Sequence, residues 1–236
     1  MGNSVFITGN SSGLGLAFAQ RYLKHAWTVF GMSRRGCPLH HAYLRDVQVD
    51  LADAEAVPGA LDKLLGELAH LDLVILNAGV LGDIHLLTKT PLSAIKPVMD
   101  INVWSNKLIL DWLHHSGTKI DQIILMSSGV AVSGNKGWNA YALSKATLNM
   151  LTRLYAAEFP DSHLIALAPG LVDTDMQAYL SENVDTEQYP SFARLVAARE
   201  SEEMPSAAEA AKKMIRIIPT LPSLFDSGSF VDIRKL

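Results

Sequence analysis

Short apolar runs separated by amphipathic stretches organise this chain. The runs at residues 5–7, 28–32, 47–49, 73–76, 123–126 and 164–167 have strand length, and stretches of helical periodicity lie between most of them. Such alternation predicts a parallel sheet, whose strands are covered on both faces and therefore read as nearly continuous hydrophobic segments. A seventh strand is expected at 229–233. Helices are expected over 14–25, 54–69, 98–115, 141–158 and 206–217, the last opened by Ser206 with Glu209 three residues on, the pattern of a capping box. The predicted fold class is α/β, a doubly wound parallel sheet of about seven strands with helices on both faces.

Nothing along the chain marks a domain boundary: glycine and proline punctuate elements, and no repeat or low-complexity linker is visible. One domain over 1–236 is expected. The segment 173–204 differs from its surroundings, mixing Asp, Glu, Ser and Tyr with a fragmentary helical pattern. It reads either as a substrate lid or as a solvated helix pair.

Composition narrows the function. With 236 residues and 49% hydrophobic content the chain can fill one large α/β core. A formal net charge of −4 offers no basic excess to track a phosphate backbone, so the expected ligand is a small molecule and not nucleic acid. Cys37 is the single cysteine, which forbids an intrachain disulfide and suits a reducing compartment. The first residues lack the basic segment of a signal peptide, and no run approaches the roughly 20 apolar residues of a spanning helix, so a cytoplasmic location is expected.

Two constellations carry chemistry. Gly9-Asn-Ser-Ser-Gly13-Leu-Gly15 follows the first strand and opens a helix, where missing side chains let backbone amides approach a pyrophosphate and the helix dipole favours its charge. Gly9, Ser11, Ser12, Gly13, Leu14 and Gly15 are accordingly candidate cofactor ligands of a Rossmann-type site. After the second strand, Ser33 stands where an acidic residue would grip an adenosine 2′-hydroxyl, and Arg34 and Arg35 follow. A basic pair suits a 2′-phosphate and favours NADP(H), while a solvated pair at a strand end is the plainer alternative. The second constellation is Tyr141-Ala-Leu-Ser-Lys145, with Ser128 upstream. Tyr141 and Lys145 share a helix face, and a cation there is expected to lower the phenol pKa and fit it for acid/base work.

With these residues quoted, the chain resembles the short-chain dehydrogenase/reductase family from end to end. Asp50, with Leu51, matches the adenine-side acid; Asn77-Ala78-Gly79 matches the sheet-stabilising motif; Asn102, Ser128, Tyr141 and Lys145 match the catalytic tetrad. Pro169, Gly170, Val172 and Thr174 match the segment that meets the nicotinamide. Within the family it is similar to the sepiapterin reductase and benzil reductase branch, through 78–83, Lys136-Gly-Trp138, 173–177 and the ending 227–232. The resemblance implies an NADPH-dependent carbonyl reductase of ketones or 1,2-dicarbonyls. In it Tyr141 is the general acid, Ser128 the carbonyl ligand, Lys145 a ribose ligand, and Asn102 holds a proton-relay water. Ser12 departs from the pattern, since many NADP-using relatives carry a basic residue there.

Several residues admit two readings. Ser127 competes with Ser128. Trp138 and Tyr179 fit an aromatic substrate pocket or ordinary packing. Asp232 lies in an apolar run; the resemblance implies a substrate-anchoring carboxylate, whereas a half-buried strand would turn it to water. His40-His41 and His114-His115 are adjacent pairs whose side chains diverge, so no metal site is expected. A homodimer through helices 98–115 and 141–158, with Trp104, Leu108, Leu148 and Leu151 in contact, is implied by the resemblance. The competing functions are an alcohol dehydrogenase working in oxidation and a nonenzymatic NADP(H)-binding sensor or scaffold.

Overall fold

A computed structural model describes residues 2–199 and 203–236; Met1 and, within the expected lid segment, 200–202 lie outside them. Seven strands form one sheet: β1 (Ser4–Thr8), β2 (Thr28–Ser33), β3 (Leu44–Gln48), β4 (His70–Leu76), β5 (Lys119–Met126), β6 (His163–Ala168) and β7 (Ser229–Asp232). Their order is β3-β2-β1-β4-β5-β6-β7, and every neighbouring pair is parallel. The chain reverses its direction of travel across the sheet between β1 and β4. That is the switch point at which a crevice opens beyond the strand C-termini.

Side-chain alternation within each strand feeds two cores. Val5, Ile7, Leu73, Ile75, Ile124, Met126, Ile165 and Leu167 pack on one face with α1 (Gly13–Lys24) and α8 (Ala207–Ile217). Phe6, Val74, Leu76, Ile123, Leu125 and Leu164 face the other way, onto α2 (Ala56–Leu65), α4 (Ser105–His115) and α5 (Asn139–Glu158). The capping box at Ser206 and Glu209 forms as the spacing predicts.

Two elements depart from the sequence reading. β3 begins at Leu44 and not at 47. It is an edge strand in which only Leu44 and Val47 are half-buried, so its first residues carry little hydrophobic signal. The helix expected over 98–115 starts earlier: α3 (Leu92–Met99) runs through Pro97 and continues as a π turn, Asp100–Trp104, into α4. The segment 173–204 contains α6 (Asp175–Asn183) and α7 (Pro190–Arg199), and α9 (Leu221–Leu224) follows α8. A third apolar cluster joins Leu180, Tyr189 and Phe192 of this segment to Leu81 and Trp138. Among the described residues no helix is long and apolar enough to cross a membrane.

Candidate active site

The loop after β1 turns through Gly9 (φ +71°) and Gly13 (φ +52°), conformations that favour glycine. A Cβ on Gly9 would lie 2.9 Å from Ala78 Cα, and one on Gly15 would lie 2.2 Å from the Gly9 carbonyl oxygen. Gly15 therefore serves packing of helix on loop. Asn77 ties the ends of β1 and β4 together: its backbone N donates to Thr8 Oγ1 (3.0 Å) and its Nδ2 to the Thr8 carbonyl (3.2 Å). Ser12, the N-cap of α1, forms no side-chain cap, which leaves first-turn amides available to an anion.

Beyond the end of β2 the backbone is anchored from below. Buried Asn10 donates to Asp46 Oδ1 (2.7 Å), and Asp46 Oδ2 accepts from Cys37 N (2.9 Å). Gly31 makes room, since a Cβ there would lie 1.9 Å from Asn10 Nδ2. Sequence reasoning missed Asn10 and Asp46; their only signal is the Gly31 between them in space. Arg35 reaches back to the glycine loop, donating to Ser12 Oγ (2.9 Å) and Ser11 Oγ (3.5 Å), while Arg34 is exposed at the same mouth. Ser33 Oγ is buried without a partner. Asp50 caps its own turn, accepting from Ala52 N (3.0 Å).

Ser128 follows the C-terminal end of β5, and Tyr141 and Lys145 stand beside it on α5. Lys145, buried on α5, donates from Nζ to the Met126 carbonyl (2.7 Å) and lies 5.6 Å from the Tyr141 ring centroid. Ser127 is committed to Asn149 Oδ1 (2.5 Å), so Ser128 is the hydroxyl that meets Tyr141. Burial pushes the Tyr141 phenol up to about 12, against a smaller downward pull from the Ser128 hydrogen bond. Burial also pushes Lys145 down to about 8. The expected lowering of the phenol by its neighbouring cation is not found: desolvation of the phenolate dominates, and the downward pull comes from Ser128.

Asn102 sits within the π turn, buried, and pins the loop after β4. Its Oδ1 accepts from Val80 N (2.8 Å), and its Nδ2 donates to the Val80 carbonyl (2.9 Å) and Ser144 Oγ (2.9 Å). Trp138 stacks on Phe192 (centroids 4.4 Å, 16° between planes) and tilts against Tyr141 at 5.9 Å, joining α7 to α5. Tyr179 is exposed instead.

One cavity of about 640 Å³ gathers the predicted residues, with Gly15, Asn102 and Asp232 outside its lining. Asp232 is buried, and its carboxylate accepts from Arg234 N (3.1 Å), Nε (2.9 Å) and Nη2 (2.6 Å). Arg234 lines the cavity in its place. Gln177 Oε1 and Ser191 Oγ, from the lid segment, are buried without partners, and both residues line the same cavity. These and Arg234 went unread in the sequence. His40, His41, His114 and His115 are exposed. Among the described residues His70, Asp72 and Asp121 lie within mutual ligand reach, at the opposite end of the sheet; His70 pairs with Asp121 at 3.1 Å and Asp72 accepts from Ser4.

A family profile described as short chain dehydrogenase matches residues 3–185. The chain belongs to the short-chain dehydrogenase family. Among its relatives, a benzil reductase ((S)-benzoin forming) of Bacillus cereus is 28% identical over 98% of this chain and 99% of its own length. A sepiapterin reductase of Meriones unguiculatus is 31% identical over 68% of this chain and 62% of its own. The resemblance to these two branches is therefore borne out. The solved structure of ElxO with NADP bound superposes with a TM-score of 0.79 at 22% identity, covering 99% of this chain and 97% of that one, which shows the shared fold. Short-chain dehydrogenases are oxidoreductases, and the seven-stranded parallel sheet with helices on both faces is as expected.

Proposed function

We propose that this short-chain dehydrogenase is an NADPH-dependent carbonyl reductase acting on ketones or 1,2-dicarbonyls. The observation that carries the reading is the Tyr141 phenol, hydrogen-bonded to Ser128 with buried Lys145 beside it, in a cavity that extends to the glycine loop. The phenol carries the proton that reduction of a carbonyl consumes, and the Ser128 hydroxyl stands beside it to hold the carbonyl oxygen.

The residues fit a dinucleotide. The glycine cradle would be filled by any Cβ at Gly9, the α1 amides await an anion, and the buried Ser33 hydroxyl lacks a partner. Arg34 and Arg35 supply positive charge at the mouth. Arg35 bonded to Ser12 brings a guanidinium to the position where many NADP-using relatives carry their basic residue. The structural similarity to NADP-bound ElxO supports the same choice. A bound nicotinamide supplies the hydride. Ser128 and Tyr141 then hold the carbonyl oxygen, and the Tyr141 proton passes to it as the carbon is reduced. Lys145 binds ribose and replenishes the phenol; Asn102 fixes the loop at Val80 beside it. Phe192 and Trp138 root the 173–204 segment as a lid that excludes water.

The test is NADPH consumption by the purified protein with diketones, pterins and monoketones, with NADH as comparator. Carbonyl-dependent oxidation of NADPH supports the reading. Arg34→Ala and Arg35→Ala should each weaken NADPH more than NADH, because only NADPH has a 2′-phosphate to lose. Equal losses for both cofactors would assign the pair to structure.

A further inference from the structure

The cavity's substrate end contains a built donor that neither the proposed mechanism nor the branch resemblance uses. Arg234 follows β7, and its side chain is 51% exposed while that of Asp232 is 7% exposed. Asp232 meets it in a fork, Oδ1 taking Nε at 2.9 Å and Oδ2 taking Nη2 at 2.6 Å. A buried carboxylate with both oxygens engaged this way locks the plane of the guanidinium.

Two glycines give the arginine its path. A Cβ on Gly170 would lie 3.0 Å from Arg234 Cγ, and one on Gly129 would lie 2.7 Å from Nη2. Gly129 directly follows Ser128, so Nη2 approaches the backbone next to the residue proposed to hold the reacting carbonyl, and Arg234 and Ser128 line the same cavity. Of the five N–H donors of an arginine side chain, two point at Asp232, and the Nη1 edge remains for a ligand.

We propose that Arg234, oriented by Asp232, is a specificity-determining residue that binds a neutral acceptor oxygen adjacent to the reacting carbonyl. The substrate class is then a 1,2-dicarbonyl and not an isolated ketone or a 2-oxo acid. This rests on the carbonyl-reductase reading. Charge decides between the acceptors: the Asp232–Arg234 pair sums to zero, so it presents directed donors without net positive charge. A substrate carboxylate would bring a second negative charge beside a buried one, whereas a ketone oxygen takes the bond without that repulsion. Val130, Trp138, Leu171 and Leu195 also line this cavity, and their apolar side chains suit alkyl or aryl substituents.

The experiment compares three probes that share a phenyl ketone: 1-phenyl-1,2-propanedione, propiophenone and phenylglyoxylate. Wild type and Arg234→Met are assayed with NADPH, and NADPH Kd is measured for both. Arg234→Met is expected to raise KM for the dione about tenfold or more, the scale of one charge-assisted bond, with propiophenone within about twofold and NADPH Kd unchanged. Arg234→Lys, which keeps charge and loses the fork, should show the same loss for the dione. Equal losses for dione and monoketone, or a weakened NADPH Kd, would overturn the assignment. So would a preference for phenylglyoxylate over the dione. Binding of the same probes to the Tyr141→Phe protein with NADPH is read by fluorescence and needs no turnover. Tighter binding of the dione that disappears in the double variant with Arg234→Met supports the role of Arg234 even if the wild type reduces none of the three. Dione binding no tighter than monoketone binding with Arg234 present overturns it.

Discussion

Lys145 is held in the folded protein at an energetic cost. Its ammonium is buried, with the Met126 carbonyl as its hydrogen-bond partner and, among the described residues, no carboxylate paired with it, and burial lowers its pKa from 10.5 to about 8. Below about pH 8 the group is charged in both folded and unfolded chains and the full cost is present, on the order of 3 kcal/mol from the size of the displacement. Between about 8 and 10.5 the folded chain sheds its proton first and the cost fades. Lys145→Met should therefore melt at a higher temperature than wild type at pH 7, with the gain shrinking as pH rises towards 10.5, and should lose activity. A lower melting temperature at pH 7 would mean that the Met126 bond outweighs the buried charge. The glycine loop, Tyr141 and Lys145 are legible because each sits in a short local motif, whereas Asn102 enters through the family resemblance. Asn10, Asp46 and Arg234 were not, because their partners are set by folding: Asp46 meets a loop 36 positions away, and Arg234 faces Gly129 across the sheet.

At the scale of elements, glycine matters where backbone crowds it. Gly15→Ala would drive a Cβ to 2.2 Å from the Gly9 carbonyl, forcing α1 off the loop; loss of NADPH binding with a fall in stability of several kcal/mol is expected. Gly59, exposed within α2 with nothing within 4 Å of its Cβ position, is the control. Gly59→Ala should stabilise by about 0.5–1 kcal/mol in urea unfolding, since it relieves the unfolded chain's excess freedom. Strands buried on both faces were readable from apolar runs, and helices from periodicity with a cap, as at Ser206. The start of β3 was not, being a polar edge, and neither was α3, whose Pro97 forfeits only one hydrogen bond before the π turn takes over. That π turn places Asn102, a residue the sequence identified by motif alone.

At the scale of the whole molecule, an apolar face remains uncovered on the catalytic side. Leu143, Met150 and Leu154 are exposed along α5, and Trp104 is 45% exposed at the head of α4. Leu148, expected in that contact, is buried against its own sheet, and Leu108 and Leu151 are half-buried there. We propose a homodimer through the exposed set. Met150→Glu with Leu154→Glu should shift light scattering from dimer to monomer; a wild-type protein that is monomeric at all concentrations would contradict this. The assembly would hold α5, and with it Tyr141 and Lys145, from the side opposite the sheet.

The central claim is that Tyr141 delivers the proton as a carbonyl is reduced. Its most direct measurement is NADPH oxidation with 1-phenyl-1,2-propanedione by wild type and Tyr141→Phe, alongside NADPH Kd for each. Removing one hydroxyl should lower kcat by about a hundredfold or more while Kd stays within about twofold, because the phenol acts only in the transition state. Undiminished turnover by Tyr141→Phe would contradict the account.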